Sequence, residues 1–173
     1  QCAFSRCTSL ESIEIPENIT IIELKTFYNC TSLTSIKIPN NVTRIGYDAF
    51  TYCESLNNIE IPDSVTTIES GAFDGCTSLE SIKISNNVEM IGQGAFRSCN
   101  SLTIYCEAEF KPNGWNDDWN SSNCPVIWGF KIYEENGYKY INFGRYPQTV
   151  VTDETTISAL SSISTTNNLL SNQ

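Results

Sequence analysis

Cysteine is the residue type in this chain best equipped for chemistry, since a thiolate can attack a carbonyl, form a disulfide or hold zinc. Eight cysteines are present and no histidine. A Cys or Ser nucleophile therefore lacks its commonest base, and zinc its commonest ligand. No Cys-x-x-Cys pair occurs, so neither a metal site nor a cofactor is expected. Paired carboxylates could in principle cleave glycosides. The adjacent pairs Asp117-Asp118 and Glu134-Glu135, however, read as solvated loop residues. No Gly-rich phosphate loop follows a strand. The chain is not expected to be an enzyme.

What the cysteines do have is order. Cys7, Cys30, Cys53, Cys76 and Cys99 stand 23 residues apart, as do Phe4, Phe27, Phe50, Phe73 and Phe96, and Leu10, Leu33, Leu56, Leu79 and Leu102. A fixed period of this length marks a solenoid, one unit stacked on copies of itself. Within a unit, Leu-x-x-Ile-x-Ile reads as a strand with alternate residues inward, as in Leu56, Ile59 and Ile61. Proline then ends the strand at Pro16, Pro39 and Pro62, with Ser85 departing from the pattern. Val65 and Ile68 begin the return, and Ala-Phe-x-x-Cys suggests a tight helical or 3₁₀ turn with Phe and Cys facing the core. Stacked at ~4.8 Å, equivalent cysteines fall inside the disulfide window, so vertical bridges stay open. An odd number in one column favours free, buried thiols. Cys106 and Cys124 lie outside that column, and a bond between them is the minority expectation.

The pattern Ala-Phe-x-x-Cys-x-Ser-Leu-x-x-Ile-x-Ile-Pro-x-x-Val-x-x-Ile-Gly closely resembles the leucine-rich repeats of the BspA type, found in bacterial surface proteins and some protozoan ones. The likeness covers residues 1–106. Departures are local: Lys25-Thr26 before Phe27, Ser85 for proline, and Glu23 and Glu69 where Gly46 and Gly92 sit. The resemblance implies a β-rich horseshoe or flattened coil displayed outside the cell, with adhesion or host-protein binding as the usual role.

Composition fits. The chain carries 20 acidic and 10 basic residues, with no basic stripe to neutralise phosphates, so nucleic acid is not an expected partner. No apolar run reaches the ~18 residues of a membrane span. Gln1-Cys2-Ala3-Phe4 begins in mid-repeat, and we read the chain as a piece of a longer protein with more repeats ahead of it. On that reading an uncovered first coil would self-associate, and missing targeting signals say nothing about compartment.

Three regions are expected: the repeat solenoid over 1–106, a cap and β-hairpin over 107–144, and a Ser/Thr-rich linker or truncated start of another domain over 145–173. At Leu102–Cys106 the apolar alternation slips register. Trp115, Trp119 and Trp128 then suggest a cover for the last coil, the alternative being Trp115 and Trp119 beside Asp117 and Asp118 as a sugar platform or cation site. Val126–Tyr133 and Tyr138–Phe143 read as a hairpin joined through Glu134-Glu135-Asn136-Gly137, and Glu154–Ile163 as a short helix. Sequons at Asn18, Asn29, Asn41 and Asn120 are neutral in so Asn-rich a chain.

The expected function is an extracellular protein-interaction module of a bacterial surface protein, used in adhesion or host-protein binding; the alternative is a passive wall-associated spacer. Partners would be extracellular or host proteins, with carbohydrate a lesser choice. Tyr28, Tyr47 and Tyr52 on successive turns, with Arg44 and Arg97 near, form the candidate binding cluster, because hot spots favour Tyr and Arg. A second candidate set is the outward strand column Glu14, Lys37, Glu60 and Lys83, expected to form cross-strand ion pairs and to serve mainly register and solubility. The strand face alone offers only ~300 Å² against the ~800 Å² a stable interface needs per partner.

Overall fold

A computed structural model describes residues 2–135, 138–143 and 149–151. It is a stack of coils with parallel β-pairing on two faces, continuous on one and in two separate groups on the other. One ladder lies on the return leg: β1 (Ile21–Ile22), β3 (Arg44–Ile45), β5 (Thr67–Ile68) and β7 (Met90–Ile91). The other follows the Leu-x-x-Ile-x-Ile strands. Here β2 (Ser35–Lys37) pairs with β4 (Asn58–Glu60), and β6 (Ser81–Ile84) with β8 (Thr103–Cys106). Alternation does what the sequence requires: Ile36 and Ile59 are buried between exposed neighbours. The return strands were not visible as strands in the sequence, being only two residues long.

Between strands the chain makes i→i+3 turns. Cys30, Cys53 and Cys76 N–H donate to the carbonyls of Phe27, Phe50 and Phe73, and Leu33, Leu56 and Leu79 N–H to those of the cysteines. These are single i→i+3 turns, the tight turn that Ala-Phe-x-x-Cys suggested. Each coil is also bonded to the next through its turns, as in Phe27 N–H to Ala49 O (2.8 Å) and Phe50 N–H to Ala72 O (2.8 Å). Backbone bonding at one repeat distance forces the side chains into columns. Phe27, Phe50, Phe73 and Phe96 are fully buried, and the five phenylalanine rings stack at 5.2–5.6 Å. Phe4, at the first coil, is only half buried. Leu33, Ile36, Ile38, Val42 and Ile45 face the same core.

The cysteine column is free thiol throughout. From the second coil on, the Sγ–H donates to the phenylalanine carbonyl one coil earlier: Cys30 to Phe4 (3.1 Å), Cys53 to Phe27 (3.2 Å), Cys76 to Phe50 (3.2 Å) and Cys99 to Phe73 (3.0 Å). Those carbonyls already accept an N–H from their own coil, and the thiol engages the second lone pair. Cys106 and Cys124 are also free and buried, not bonded to each other. Cys124, moreover, belongs to the ladder, its Sγ 3.3 Å from Cys99 O.

The stack continues past residue 106. Register shortens at β8, where Ser81 pairs with Thr103 and Ile84 with Cys106. This is the slip seen in the sequence, and it keeps Ile104 and Cys106 inward. β9 (Val126–Trp128) then adds parallel to β8. Residues 107–128 therefore make a further turn, and tryptophan covers the core. Trp119 stands edge-on to Phe96 at 5.9 Å, and Trp115 donates its indole N–H to Val88 O. Both rings are buried, so they offer no open sugar platform. The strand expected over Val126–Tyr133 is split at Gly129 (φ 73°) into β9 and β10 (Phe130–Glu135). β10 pairs antiparallel with β11 (Tyr138–Phe143), and β11 with β12 (Thr149–Val151), a strand inside the expected linker. Glu134 and Glu135 thus lie in a strand instead of a loop. The Asn136-Gly137 turn and the helix expected over Glu154–Ile163 fall outside the described residues.

Phe50→Ala should lower stability by ~3–5 kcal/mol in urea unfolding, because rings on both sides are pinned by the coil spacing and cannot fill the gap. The thiols give a second check. Burial, with a smaller contribution from neighbouring thiols, pushes Cys53 and Cys99 from 9.0 up to about 12. The neutral thiols' contribution is therefore whole below about pH 9 and is lost as pH climbs toward 12. Alkaline unfolding should begin above pH 9. At pH 8, Ellman's reagent should titrate the exposed Cys2 and Cys7 at once and the six buried thiols only after denaturation.

Candidate functional site

The turn face and the outward strand column carry the variable side chains, and the coil frame decides which of them meet. Each turn has two left-handed positions. One column holds Arg6, Asn29, Tyr52, Gly75 and Ser98, the other Cys2, Lys25, Asp48, Gly71 and Gly94. Left-handed backbone is unfavourable for residues with a Cβ. Here inter-coil bonds hold it, such as Tyr52 N–H to Asp74 O (2.8 Å) and Lys25 N–H to Tyr47 O (3.0 Å).

This geometry divides the three tyrosines. Tyr28 and Tyr52 meet edge to face at 5.8 Å, with Lys25 Nζ 5.2 Å from the Tyr28 ring centre. Tyr52 also lies over Gly75, where a Cβ would come within 2.5 Å of its ring. Tyr47 makes no ring pair among the described residues. Tyr47 lines a hollow with Gly71 and Gly94, whereas Tyr52 lies against Gly75. Tyr47 is instead grouped with Arg44 through Glu69: its N–H donates to Glu69 Oε2 (2.7 Å), and Arg44 Nη1 to Glu69 Oε1 (3.3 Å). Arg44 Nε is buried without a partner. Glu69 was readable in the sequence only as a replacement for glycine, yet it joins two of the candidates. Arg97 is held by Asp74, to which its Nε and Nη2 both donate, and this raises the guanidinium above its ordinary pKa.

On the strand face, Glu14, Lys37 and Glu60 do lie side by side in register. The lysines nevertheless take their ion-pair partners from outside the column. Lys37 approaches Glu17 (3.9 Å), and Lys83 approaches Glu107 (2.7 Å) and Asp63 (3.8 Å). Column mates project in parallel, and the long lysine side chains bend instead to carboxylates beyond the strand end. In the same column Tyr105 pairs with Lys83 across the strands and packs edge to face on Phe130 at 5.2 Å, so the outward face closes toward the hairpin. Asp117 receives Lys111 Nζ at 2.5 Å, and that bond lowers its pKa, which leaves it a solvated ion-pair member. Lys37→Glu should cost at most ~1 kcal/mol in urea unfolding, as exposed pairs do, and leave the affinity for any partner unchanged.

Family models match the chain over residues 1–113 as the BspA type leucine rich repeat region, in six copies. A leucine-rich repeat protein from Bacteroides ovatus is similar in structure, with 31% identity and a TM-score of 0.59 over 72% of this chain and 31% of that one. A leucine rich cell surface protein from Faecalibacterium prausnitzii is similar at 25% identity and a TM-score of 0.54, over 81% of this chain and 45% of that one. The chain thus spans less than half the length of either protein. No curated protein matches it. Six consecutive copies of one repeat, folded as one stack with shared phenylalanine, cysteine and leucine columns, place the chain in the BspA-type leucine-rich repeat family.

Proposed function

We propose that this chain is a protein-interaction module of a bacterial surface protein, binding extracellular or host proteins in adhesion. The supporting observation is the six-copy BspA-type repeat match, a repeat of bacterial surface proteins, together with the likeness to a protein described as a cell surface protein. Binding is favoured over catalysis by the site chemistry. The buried thiols are held neutral, and the aspartate pair is engaged with lysine and glutamine. Contact through the turns is favoured over the strand face. The turns carry Tyr28, Tyr47 and Tyr52, half-exposed or exposed, whereas the strand column presents no aromatic ring among Glu14, Lys37, Glu60 and Lys83, and its lysines are already paired. Loops or several copies acting together would make up for the small strand face.

A spacer role is the second reading, favoured by the fully buried, continuously bonded core. The experiment is to immobilise the chain and pass host matrix proteins and bacterial surface extracts over it at physiological salt. Saturable binding is expected. A triple Tyr28, Tyr47 and Tyr52 to Ala variant, checked first for a proper fold, should weaken it by roughly tenfold or more, the scale of one hot spot. Silence across the panel would return the chain to the spacer reading. Full affinity in the triple variant would move the contact surface off these turns.

A further inference from the structure

The left-handed column Lys25, Asp48, Gly71, Gly94 runs from charged side chains to bare glycine along the stack. Where the side chains stop, a hollow of about 570 Å³ opens on the turn face, with Tyr47 on one side and Asp118 and Ser121 of the last turn on the other. Asp48 Oδ1 leans into it and fills the space that a Cβ on Gly71 would need. Glycine at 71 suits the left-handed φ and leaves room for the Asp48 carboxylate, which a Cβ would push aside.

The hollow is acidic and incompletely paired. Asp48, Asp74 and Asp118 line it against a single cation, Arg97. Lys25 reaches Asp48 at 3.5 Å. Arg97 donates twice to one oxygen of Asp74, Oδ2, so that Oδ1 has no hydrogen-bond partner although Asp74 is only 4% exposed. That oxygen is shut off from water, so the Asp74 charge behind the wall is only partly offset by Arg97. The Asp118 carboxylate meets only the Gln93 amide, at 3.3 Å, and no cation among the described residues. Tyr47, 47% exposed, adds an aromatic ring that a cation can approach.

We propose that this hollow receives a basic side chain, a guanidinium or ammonium group, of a protein partner; the inference rests on the binding role proposed above. Such a group brings the positive charge that the wall lacks, with N–H donors for the Asp118 carboxylate. A neutral sugar would bring donors alone, and an anion would add repulsion. The site is open to water, so one side chain binds weakly and acts as an anchor within a larger contact.

The test is a titration of the ¹⁵N-labelled chain at low salt with acetyl-Gly-Arg-Gly-amide, acetyl-Gly-Gln-Gly-amide and maltotriose, followed by amide shifts. The arginine peptide should give saturable shifts centred on Gly71 and Gly94 that fade with added salt, and the glutamine peptide none. Asp118→Asn, at an exposed position whose backbone bonds are kept, should weaken the arginine peptide at least ~5-fold while the remaining spectrum is unchanged. Tyr47→Ala should weaken it as well. Three results would overturn the inference: no shifts at saturating arginine peptide, equal shifts with the glutamine peptide or maltotriose, or full affinity in Asp118→Asn. A protein partner found while the hollow stays silent would retire this inference alone, and a responding hollow with a silent protein panel would retire the adhesion reading alone.

Discussion

Coil-to-coil backbone hydrogen bonding is the constraint on which the other features of this molecule depend. It operates along the return ladder, within the β2–β4 and β6–β8–β9 groups of the strand face, and through the turns, so the coils are held at one spacing. Once that spacing is set, a residue at a given repeat position can pack only on its own equivalents. Phenylalanine must then stack on phenylalanine at 5.2–5.6 Å, a separation that suits offset aromatic rings. The thiol is suited to the neighbouring column for a related reason. It is small and apolar enough to be buried, and its S–H still reaches the carbonyl of the preceding coil.

The same constraint accounts for the unusual backbone of the turns. Arg6, Asn29, Tyr52 and Ser98 all occupy left-handed φ, with glycine at only one place in that column, Gly75. In an isolated turn these side chains would be selected against. In the stack the conformation is repeated by each neighbour and paired by a backbone bond to the next coil, so leaving it would break bonds in two coils. The frame offsets the strain, which frees the position for side chains of many kinds. A binding repeat can use that freedom, since surface chemistry then varies without disturbing the core.

Variation on the turn face is accordingly where the coils differ most. Toward the start of the stack lie the Tyr28–Tyr52 pair and Lys25, and toward its end the glycines leave the acidic hollow. Glu69 ties Arg44 to the Tyr47 backbone beside the hollow. The strand face is more uniform, and its lysines are engaged with carboxylates beyond the strand ends. A stack of this length presents little area on any single face, and function at this scale depends on combining faces or copies.

The sequence by itself determined the period, the inward columns and the strand ladder, because stacking makes burial strictly periodic, and Phe50, Cys53, Leu56, Ile59 and Ile61 each repeat. It also carried the register slip at Leu102–Cys106. It held, without being obvious, the continuation of the core: Trp119 keeps the phenylalanine spacing after Phe96, while Cys124 is displaced from the cysteine spacing and still joins the ladder. Tertiary structure alone decided which surface residues meet. Tyr47 lies close to Tyr52 in sequence, yet Tyr52 pairs with Tyr28 of the preceding coil. Lys37 and Lys83 alternate with glutamates in sequence, yet they bond to Glu17, Asp63 and Glu107, since side-chain direction is set at the strand end. Columns follow from spacing, whereas contacts between exposed side chains depend on rotamers and turn geometry, which no periodicity encodes.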